Sequence, residues 1–344
     1  MMETVYCGVD IHSRMQTVAF CDTRDGEIHL AQLDHHKDDV RGFYAQFTGK
    51  VLVGWEATGY STWFEKMIDE LGHEGWIGQP AEIRRRANWR QKNDRRDAEL
   101  ILELMLRGEF PRIHRREVTS TEILRMLRYR HRLVKIKTMI ANNLQALGIS
   151  AGLPKISMRT KKAKERLQGA PMTEAMRRQC EEWISLLDPL NERVKGAEKW
   201  LEEAAEADDQ VKLLRTHPGV GLLTSLALVH TLKPIDRFGN QRKVVAYVGL
   251  EPMERSSADK KRFLGISKAG SRVLRFLLGE AANSAAKEDE ELRRFYYRLV
   301  FRRGRSKAKI AVARKLLVRS YIMLRDNIDY AEFRRRGLEA RSAR

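Results

Sequence analysis

VYCGVDIHS (residues 5–13) decides the fold, taken together with VLVGWEATG (residues 51–59). Each is a short apolar run rich in β-branched and aromatic residues that stops on a carboxylate, Asp10 in the first and Glu56 in the second. Such runs, bounded by turn residues, read as strands. Working outward, the pattern predicts strands over 4–11 and 15–22, a hairpin turn at Asp25-Gly26, a helix at about 37–47, the strand at 50–56, a helix at about 61–71 and a short strand over 75–80. Strands interleaved with helices over about a hundred residues form an α/β layer. Acidic residues at its strand ends fit a ribonuclease-H-like domain.

A third stretch, NDRRDAELILELM (93–105), opens a helix with Asp94 and Asp97 three residues apart and therefore on one face. Carboxylates from adjoining strand ends and a nearby helix can converge on Mg²⁺, a hard cation that takes oxygen ligands and keeps waters or substrate phosphates. Each acid also has a plainer reading. Asp10 can cap a turn, Glu56 can face solvent, Asp94 can be an N-cap, and Asp97 can be a favourable charge in the first helical turn. Around them lie Arg84, Arg85, Arg86, Arg90, Lys92, Arg95 and Arg96. Carboxylates among so many cations suit metal-assisted handling of a phosphate backbone, or else a set of surface ion pairs of little energetic weight. The joint pattern favours the metal site, with Asp10, Glu56, Asp94 and Asp97 as ligands.

The charge points the same way. The 344 residues include 65 Lys and Arg against 46 Asp and Glu, a formal net charge of +19. That imbalance calls for a polyanionic partner, nucleic acid before an anionic membrane. No apolar stretch approaches the roughly 18 residues that span a bilayer, and MMETVYCG lacks the pattern of a secretory signal. Cys7, Cys21 and Cys180 are odd in number and far apart, so they read as reduced thiols, with no disulfide frame or zinc spacing. The expected location is the cytoplasm and the expected cofactor is Mg²⁺.

Beyond the first domain the pattern turns helical. Thr119 and Glu122 read as a capping box before a run with Met126, Tyr129, Leu133, Ile136, Ile140 and Leu147 at three- and four-residue steps. Met176, Cys180, Trp183, Leu187, Leu190, Val194, Ala197 and Leu201 form a second run, where Asp188-Pro189 can restart the helix. The two together read as an antiparallel helical hairpin or coiled-coil arm, or as helices packed on their own domain. Residues 148–171 between them read as a basic, poorly periodic connector. LLRTHPGVGLLTSLALVHTL (213–232) is similar to a helix-hairpin-helix, whose glycine-rich turn can offer backbone N–H groups to phosphate; the plainer reading is an ordinary tight turn. MERSSADKKRFLG (253–265) reads as a polar loop. From Arg293 to Arg319 there are eleven Lys and Arg and no acid, a phosphate-contacting surface in which Arg302, Arg303 and Arg305 stand out.

With both halves read, the chain resembles the DEDD transposases of bacterial insertion sequences, the one-ten insertion-sequence family that includes the Piv-type invertases. The matching motifs are GVDIHS around Asp10, EATG around Glu56, NDRRDAE with Asp94 and Asp97, PGVG (218–221), RFGNQRKVVAYVGLEP (237–252), the Ser256-Ser257 pair, and GISKAGSRVLR (265–275). They occur in the family's order and cover roughly residues 4–330. The resemblance implies a RuvC-like N-terminal domain (1–117) whose four acids bind Mg²⁺, a helical coiled-coil arm (118–208), and a mainly helical C-terminal serine transposase domain (209–335). It further implies double-stranded DNA as substrate, a structured bridge RNA as guide, and composite active sites in a dimer or tetramer. It assigns the nucleophile to the serine after GLEP. Family members carry Ser-Gly there, whereas Ser256-Ser257 is followed by Ala258; spacing favours Ser257, with Ser256 as the alternative. Lys260, Lys261, Arg262 and Lys268 flank it and suit backbone phosphates.

Three rivals remain at this level. A hydrolytic nuclease of the ribonuclease-H superfamily needs the acids and no serine. A sugar kinase or actin-like ATPase also opens on a strand and acidic turn, but the later glycine-rich nucleotide loop is missing from this sequence. A non-catalytic nucleic-acid-binding protein explains the charge and leaves the four acids unexplained.

Overall fold

The computed structural model describes residues 4–36, 39–87, 93–155, 160–257 and 260–342, with the side chains of Lys161, 254–257, 260–264 and 340–342 left aside. It divides into two compact units, Met1–Arg115 and Arg116–Arg344.

The first unit is a five-stranded sheet with helices on both faces. Its strands are β1 (Thr4–Ile11), β2 (Met15–Asp22), β3 (Ile28–Asp34), β4 (Lys50–Glu56) and β5 (Glu74–Gly78), in the order β3-β2-β1-β4-β5. β1 pairs antiparallel with β2 and parallel with β4, so the sheet is mixed and β1 is central. The Asp25-Gly26 turn joins β2 to β3, with Gly26 at φ +71° and its N–H bonded to the Asp22 carbonyl at 2.9 Å. The helices are α1 (Asp39–Ala45), α2 (Thr62–Glu70), α3 (Pro80–Arg86) and α4 (Asp94–Leu106).

Strand periodicity assigns the two faces. Val5, Cys7, Val9 and Ile11 of β1 and Val51, Val53 and Trp55 of β4 share one core with Val40, Tyr44, Phe64 and Ile68 of α1 and α2. The even-numbered positions point the other way, where Leu52 shares a second core with Leu100, Ile101, Leu104 and Met105 of α4. Gly8 and Gly54 lie on this second face. A Cβ on Gly8 would come within 2.5 Å of the Ala98 carbonyl, and one on Gly54 would run into the Met105 side chain. These two glycines let α4 lie directly on the central strands.

The second unit is largely helical. It contains α5 (Val118–Ser150), α6 (Lys161–Gln168), α7 (Glu174–Glu206), α8 (Asp209–Arg215), α9 (Leu222–Leu232), α10 (Gln241–Val248), α11 (Arg272–Glu288), α12 (Glu290–Arg303), α13 (Arg305–Asp326) and α14 (Tyr330–Ser342), with a two-stranded hairpin of β6 (Pro252–Ser257) and β7 (Lys260–Ile266). Helix α9 is buried from Thr224 to its end at Leu232 and contributes to the main core. Helices α5 and α7 run antiparallel. Ile123, Leu124 and Leu127 meet Leu201 and Ala205 in the main core, while Ile140 and Leu144 meet Cys180 and Leu187 in a second cluster at the far end.

Several local expectations are corrected. Helix α5 begins at Val118 after Glu117, so Thr119 is inside the first turn and there is no capping box. Its neighbour Ser120 is buried instead, with Oγ 3.0 Å from His230 Nδ1. Pro189 lies within an unbroken α7; the burial of Leu187 and Val194 on either side carries the helix through the one backbone bond that proline cannot make. The connector contains α6, capped by Thr160, whose hydroxyl accepts from the Ala163 N–H at 3.2 Å. The polar loop at 253–265 is the β6–β7 hairpin, with Ser256 opposite Lys261 and Ser257 opposite Lys260. Gly219 of the Pro-Gly-Val-Gly turn has φ +84°, and its missing Cβ would sit 2.6 Å from Ala285 Cα, so this glycine seats the turn against α11.

Arg319 on α13 anchors the C-terminal helices. Its guanidinium donates to Asp289 Oδ2 at 2.9 Å and to Glu291 Oε2 at 2.8 Å, both in the chain entering α12. Tyr330 of α14 also bonds Asp289. Burial pushes the Asp289 carboxyl up, but the bonds from Tyr330 and the Leu292 N–H, with the Arg319 charge, overcome it and hold it at about 2. Burial lowers both His217 and His230 to about 4, so each is neutral in the fold.

A histidine depressed in the folded state binds its proton later than in the unfolded chain, whose ordinary value is about 6.5. Stability carried by His217 and His230 is therefore full above about pH 6.5 and is lost as pH falls toward 4. The Asp289 contribution is lost below that, as pH falls toward 2. Urea midpoints should decline steadily from pH 7 to pH 4, and replacing both histidines by Gln should flatten that segment. A midpoint independent of pH in the wild-type chain contradicts this account.

Candidate active site

Asp10, next to last in β1, and Glu56, last in β4, lie on the face that α4 covers. The parallel register pairs Gly8 with Gly54 and Val9 with Trp55, so the next positions, Asp10 and Glu56, are neighbours at the same edge. Asn93 caps α4, its side-chain oxygen accepting from the Arg95 N–H at 3.1 Å. That cap puts Asp94 and Asp97 in the first turn, at the positive end of the helix. Because α4 runs back along β1, with Ala98 and Leu102 over Gly8, its start is carried to the Asp10 end.

The result is direct contact. His12 Nε2 lies 3.1 Å from Asp10 Oδ2 and 3.2 Å from Asp94 Oδ1. One ligand atom from each of Asp10, His12 and Asp94 falls within a group no wider than 4.8 Å, a spacing that one cation can bridge. One turn along α4, Asp97 Oδ2 is buried and has no hydrogen-bond partner. A buried carboxylate oxygen without a partner is a costly arrangement unless a polar or charged group completes it; Asp97 and Glu56 are not in the close group of Asp10, His12 and Asp94. The donors are mainly hard oxygens, which fit Mg²⁺. The structure thus brings Asp10 and Asp94 together, sets Asp97 on the same helix face, and sets Glu56 beside Asp10 by register.

His12 was not among the residues that the sequence singled out. Its signal is position: it lies two residues past Asp10, immediately after β1 ends at Ile11. The glycines carry a second signal, since Gly-x-Asp at 8–10 and Gly-x-Glu at 54–56 place a residue without Cβ two positions before each acid.

The cations divide into paired and open groups. Arg85 is held by Glu82 at 2.8 Å and Arg95 by Glu99 at 2.9 Å. Arg84 and Arg86 are exposed and have no ion pair among the described residues. Arg90 and Lys92 lie outside the described residues. In the acid-free stretch Lys309, Lys315 and Arg319 are engaged by Glu280, Glu291 and Asp289, so part of that charge is structural. Arg302, Arg303 and Arg305 are exposed.

In the second unit, two of the quoted motifs clamp the base of the β6–β7 hairpin. Gly249 has φ +76°, and a Cβ there would lie 2.8 Å from the Lys268 carbonyl carbon. Gly270 has φ +64° and packs on the Tyr247 carbonyl. The Ser267 N–H bonds the Glu251 carbonyl at 3.0 Å, the Lys268 N–H bonds the Gly249 carbonyl at 3.2 Å, and Arg275 donates to the carbonyls of Val248, at 3.1 Å, and Ala269. Lys268, exposed, is one of two non-glycine residues at positive φ among those described. Ser257 stands at the far end of β6, paired in the backbone with Lys260. The side chains of Ser256, Ser257, Lys260, Lys261 and Arg262 lie outside the described part of the structure.

Two family profiles match the chain. One, a DEDD profile described as "Transposase", covers residues 7–147, and the other, described as "Transposase IS116/IS110/IS902 family", covers residues 211–297. Among similar proteins, the transposase for insertion sequence element IS1111A of Coxiella burnetii is 30% identical over 65% of this chain and 64% of its own length. A probable family 20 transposase of Pseudomonas aeruginosa is 25% identical over 90% of this chain and 93% of its own. The chain thus spans a little under two thirds of the first relative and nearly all of the second. Helix α14 lies beyond the second profile.

If the close approach of α4 assembles the acids, Gly8→Ala should disturb them without touching a ligand. Overpacking of this kind costs about 1–3 kcal/mol, and divalent-ion binding by titration calorimetry should weaken at least about tenfold. Gly42→Ala, where a Cβ meets nothing within 4 Å, should leave binding unchanged. Equal affinity in the two variants contradicts the assignment.

Proposed function

From the two transposase profiles that match the chain and from its acid cluster we propose that it is a transposase of the IS116/IS110/IS902 family that cuts and rejoins the DNA of an insertion element. The reaction proceeds through a covalent phosphoserine, with Mg²⁺ as cofactor and a structured bridge RNA as guide to its double-stranded DNA sites. The observation that carries this reading is the meeting of Asp10, His12 and Asp94, with the orphaned Asp97 oxygen one turn further along α4. We take residues 1–117 as a RuvC-like domain, 118–208 with the paired α5 and α7 as a coiled-coil arm, and 209–335 as the serine transposase domain.

Asp10, Glu56, Asp94 and Asp97 are the proposed ligands. A bound divalent ion supplies charge neutralisation at a phosphate under attack. His12, in contact with both Asp10 and Asp94, holds those carboxylates in register. The proposed nucleophile is Ser257. A serine hydroxyl is weak at neutral pH and needs its proton removed. As the Oγ–P bond forms the P–O3′ bond breaks; the hydroxyl proton leaves and the 3′ oxygen departs as a hydroxyl. Attack of a new 3′ hydroxyl on the phosphoserine reverses these steps, so strands are exchanged without net hydrolysis. The clamp of Gly249, Gly270 and Arg275 fixes the base of the hairpin and limits where Ser257 can reach. The acids and the serine come from different units of the chain, and we propose that they act on one phosphodiester within a homo-oligomer. Arg84, Arg86 and Lys268, all exposed, are suited to backbone phosphates.

Labelled element-end DNA incubated with the protein and an element transcript should yield a protein–DNA adduct with the wild type and none with Ser257→Ala. A wild-type level of adduct from that variant contradicts the nucleophile. Asp97→Asn should reduce recombination by at least about a hundredfold while transcript binding, which rests on Lys and Arg, stays within about twofold. Undiminished recombination removes Asp97 from the site.

A further inference from the structure

Helix α12 ends at a corner whose chemistry the strand-transfer reaction does not use. Gly304, at φ +82°, stops the helix and starts α13. In the last turn before it, Phe301 is 87% exposed, and Tyr297, four residues earlier on the same face, is 55% exposed. Tyr296 meets Tyr297 edge-on at 5.5 Å between ring centres, which steadies the second ring. Exposed side chains of Arg302, Arg303, Arg305 and Lys307 surround the turn, with no ion pair among the described residues. No acid occurs between Arg293 and Arg319. Three of the four acids just before that stretch are already engaged: Glu290 by Arg294, Asp289 by Arg319, and Glu291 by Lys315 and Arg319.

A phenylalanine this bare amid uncompensated guanidinium groups has no role in packing. Cations alone would suffice for duplex phosphates, and a duplex keeps the faces of its bases stacked away from protein. Aromatic faces next to arginines are the means by which unpaired bases are held. The 87% exposure also argues about the shape of the partner. A continuous single strand is usually tracked by a groove, whose walls would cover the ring. A ring standing clear on a convex corner fits a base splayed out of a folded loop.

We propose that the α12–α13 corner is a binding surface for an unpaired loop of a structured RNA, with Phe301 and Tyr297 stacking on its bases and Arg302, Arg303 and Arg305 on its phosphates. This rests on the reading of the chain as RNA-guided, but it is tested without recombination, so the two can fail separately.

Binding of the full-length protein is measured by fluorescence anisotropy, without divalent ions, to three probes: the element transcript, a single-stranded DNA copying its loops, and a duplex DNA of equal charge. Phe301→Ala should weaken transcript binding at least about fivefold, the lower end of one base–aromatic stack, and Phe301→Trp should restore it. Duplex affinity should be unchanged, and so should the melting temperature, because the ring is exposed. Unchanged transcript affinity, or an equal loss on the duplex, overturns the proposal. An equal or larger loss on the single-stranded DNA would assign the surface to a displaced DNA strand instead and likewise overturns it. So would a change in sedimentation showing that Phe301 meets a second copy of the chain.

Discussion

The absence of two Cβ atoms governs the candidate site. Gly8 and Gly54 sit side by side on β1 and β4, and α4 lies against them so closely that a methyl group at Gly8 would enter the helix backbone. Everything about the acids depends on that approach. Asp10 and Glu56 are two residues further along the same strand faces, and α4 runs back to deliver Asp94 and Asp97 to the same edge. The Asn93 cap fixes where the helix starts, and so which turn carries the carboxylates. Asp10 and Asp94 meet through His12 at that edge, and the Asp97 oxygen one turn along is buried without a partner, the kind of local cost that functional sites often carry.

The second unit uses glycine for the same purpose in a different place. Gly249 and Gly270 let the chain before β6 and after β7 touch backbone to backbone, and Arg275 ties both sides together. A two-stranded hairpin is marginal by itself, so its footing decides its direction. Elsewhere the buried Arg319, with Asp289, Glu291 and Tyr330, joins α12, α13 and α14 through charge-assisted bonds whose loss would leave a charge buried alone.

Much of the first unit was legible because its signals are local. The strand runs, the Asp25-Gly26 turn and the acids at strand ends follow from period-two patterning and turn chemistry; the four strands given ranges formed close to where that pattern put them, while β3 (Ile28–Asp34) was implied only by the turn before it. The sharing of one edge by Asp10 and Asp94 could be expected, but contact through His12 could not, since an imidazole two residues past an acid is unremarkable until α4 is in place. In the second unit the long helices were readable from their apolar steps. Their ends were not, because Thr119 had a cap's identity without its position, and Pro189 was overridden by packing on both sides. The hairpin at 252–266 was read as loop because its polar residues carry little strand signal; what shapes it is the clamp, made by residues distant in sequence. The basic run likewise looked uniform, and only the fold separates Lys309, Lys315 and Arg319, which hold helices together, from the open group around Phe301.

The paired α5 and α7 have a mechanical consequence. Each has 33 residues and so extends about 50 Å, rooted in the main core at one end and stiffened at the other by Ile140, Leu144, Leu167, Cys180 and Leu187. A rod held this way is a lever. About five degrees of tilt at the root would swing the far tip by about 4 Å, simple trigonometry on the helix rise. Small repacking around Leu124 and Leu201 is thereby converted into a displacement large enough to make or break a contact at the distant end.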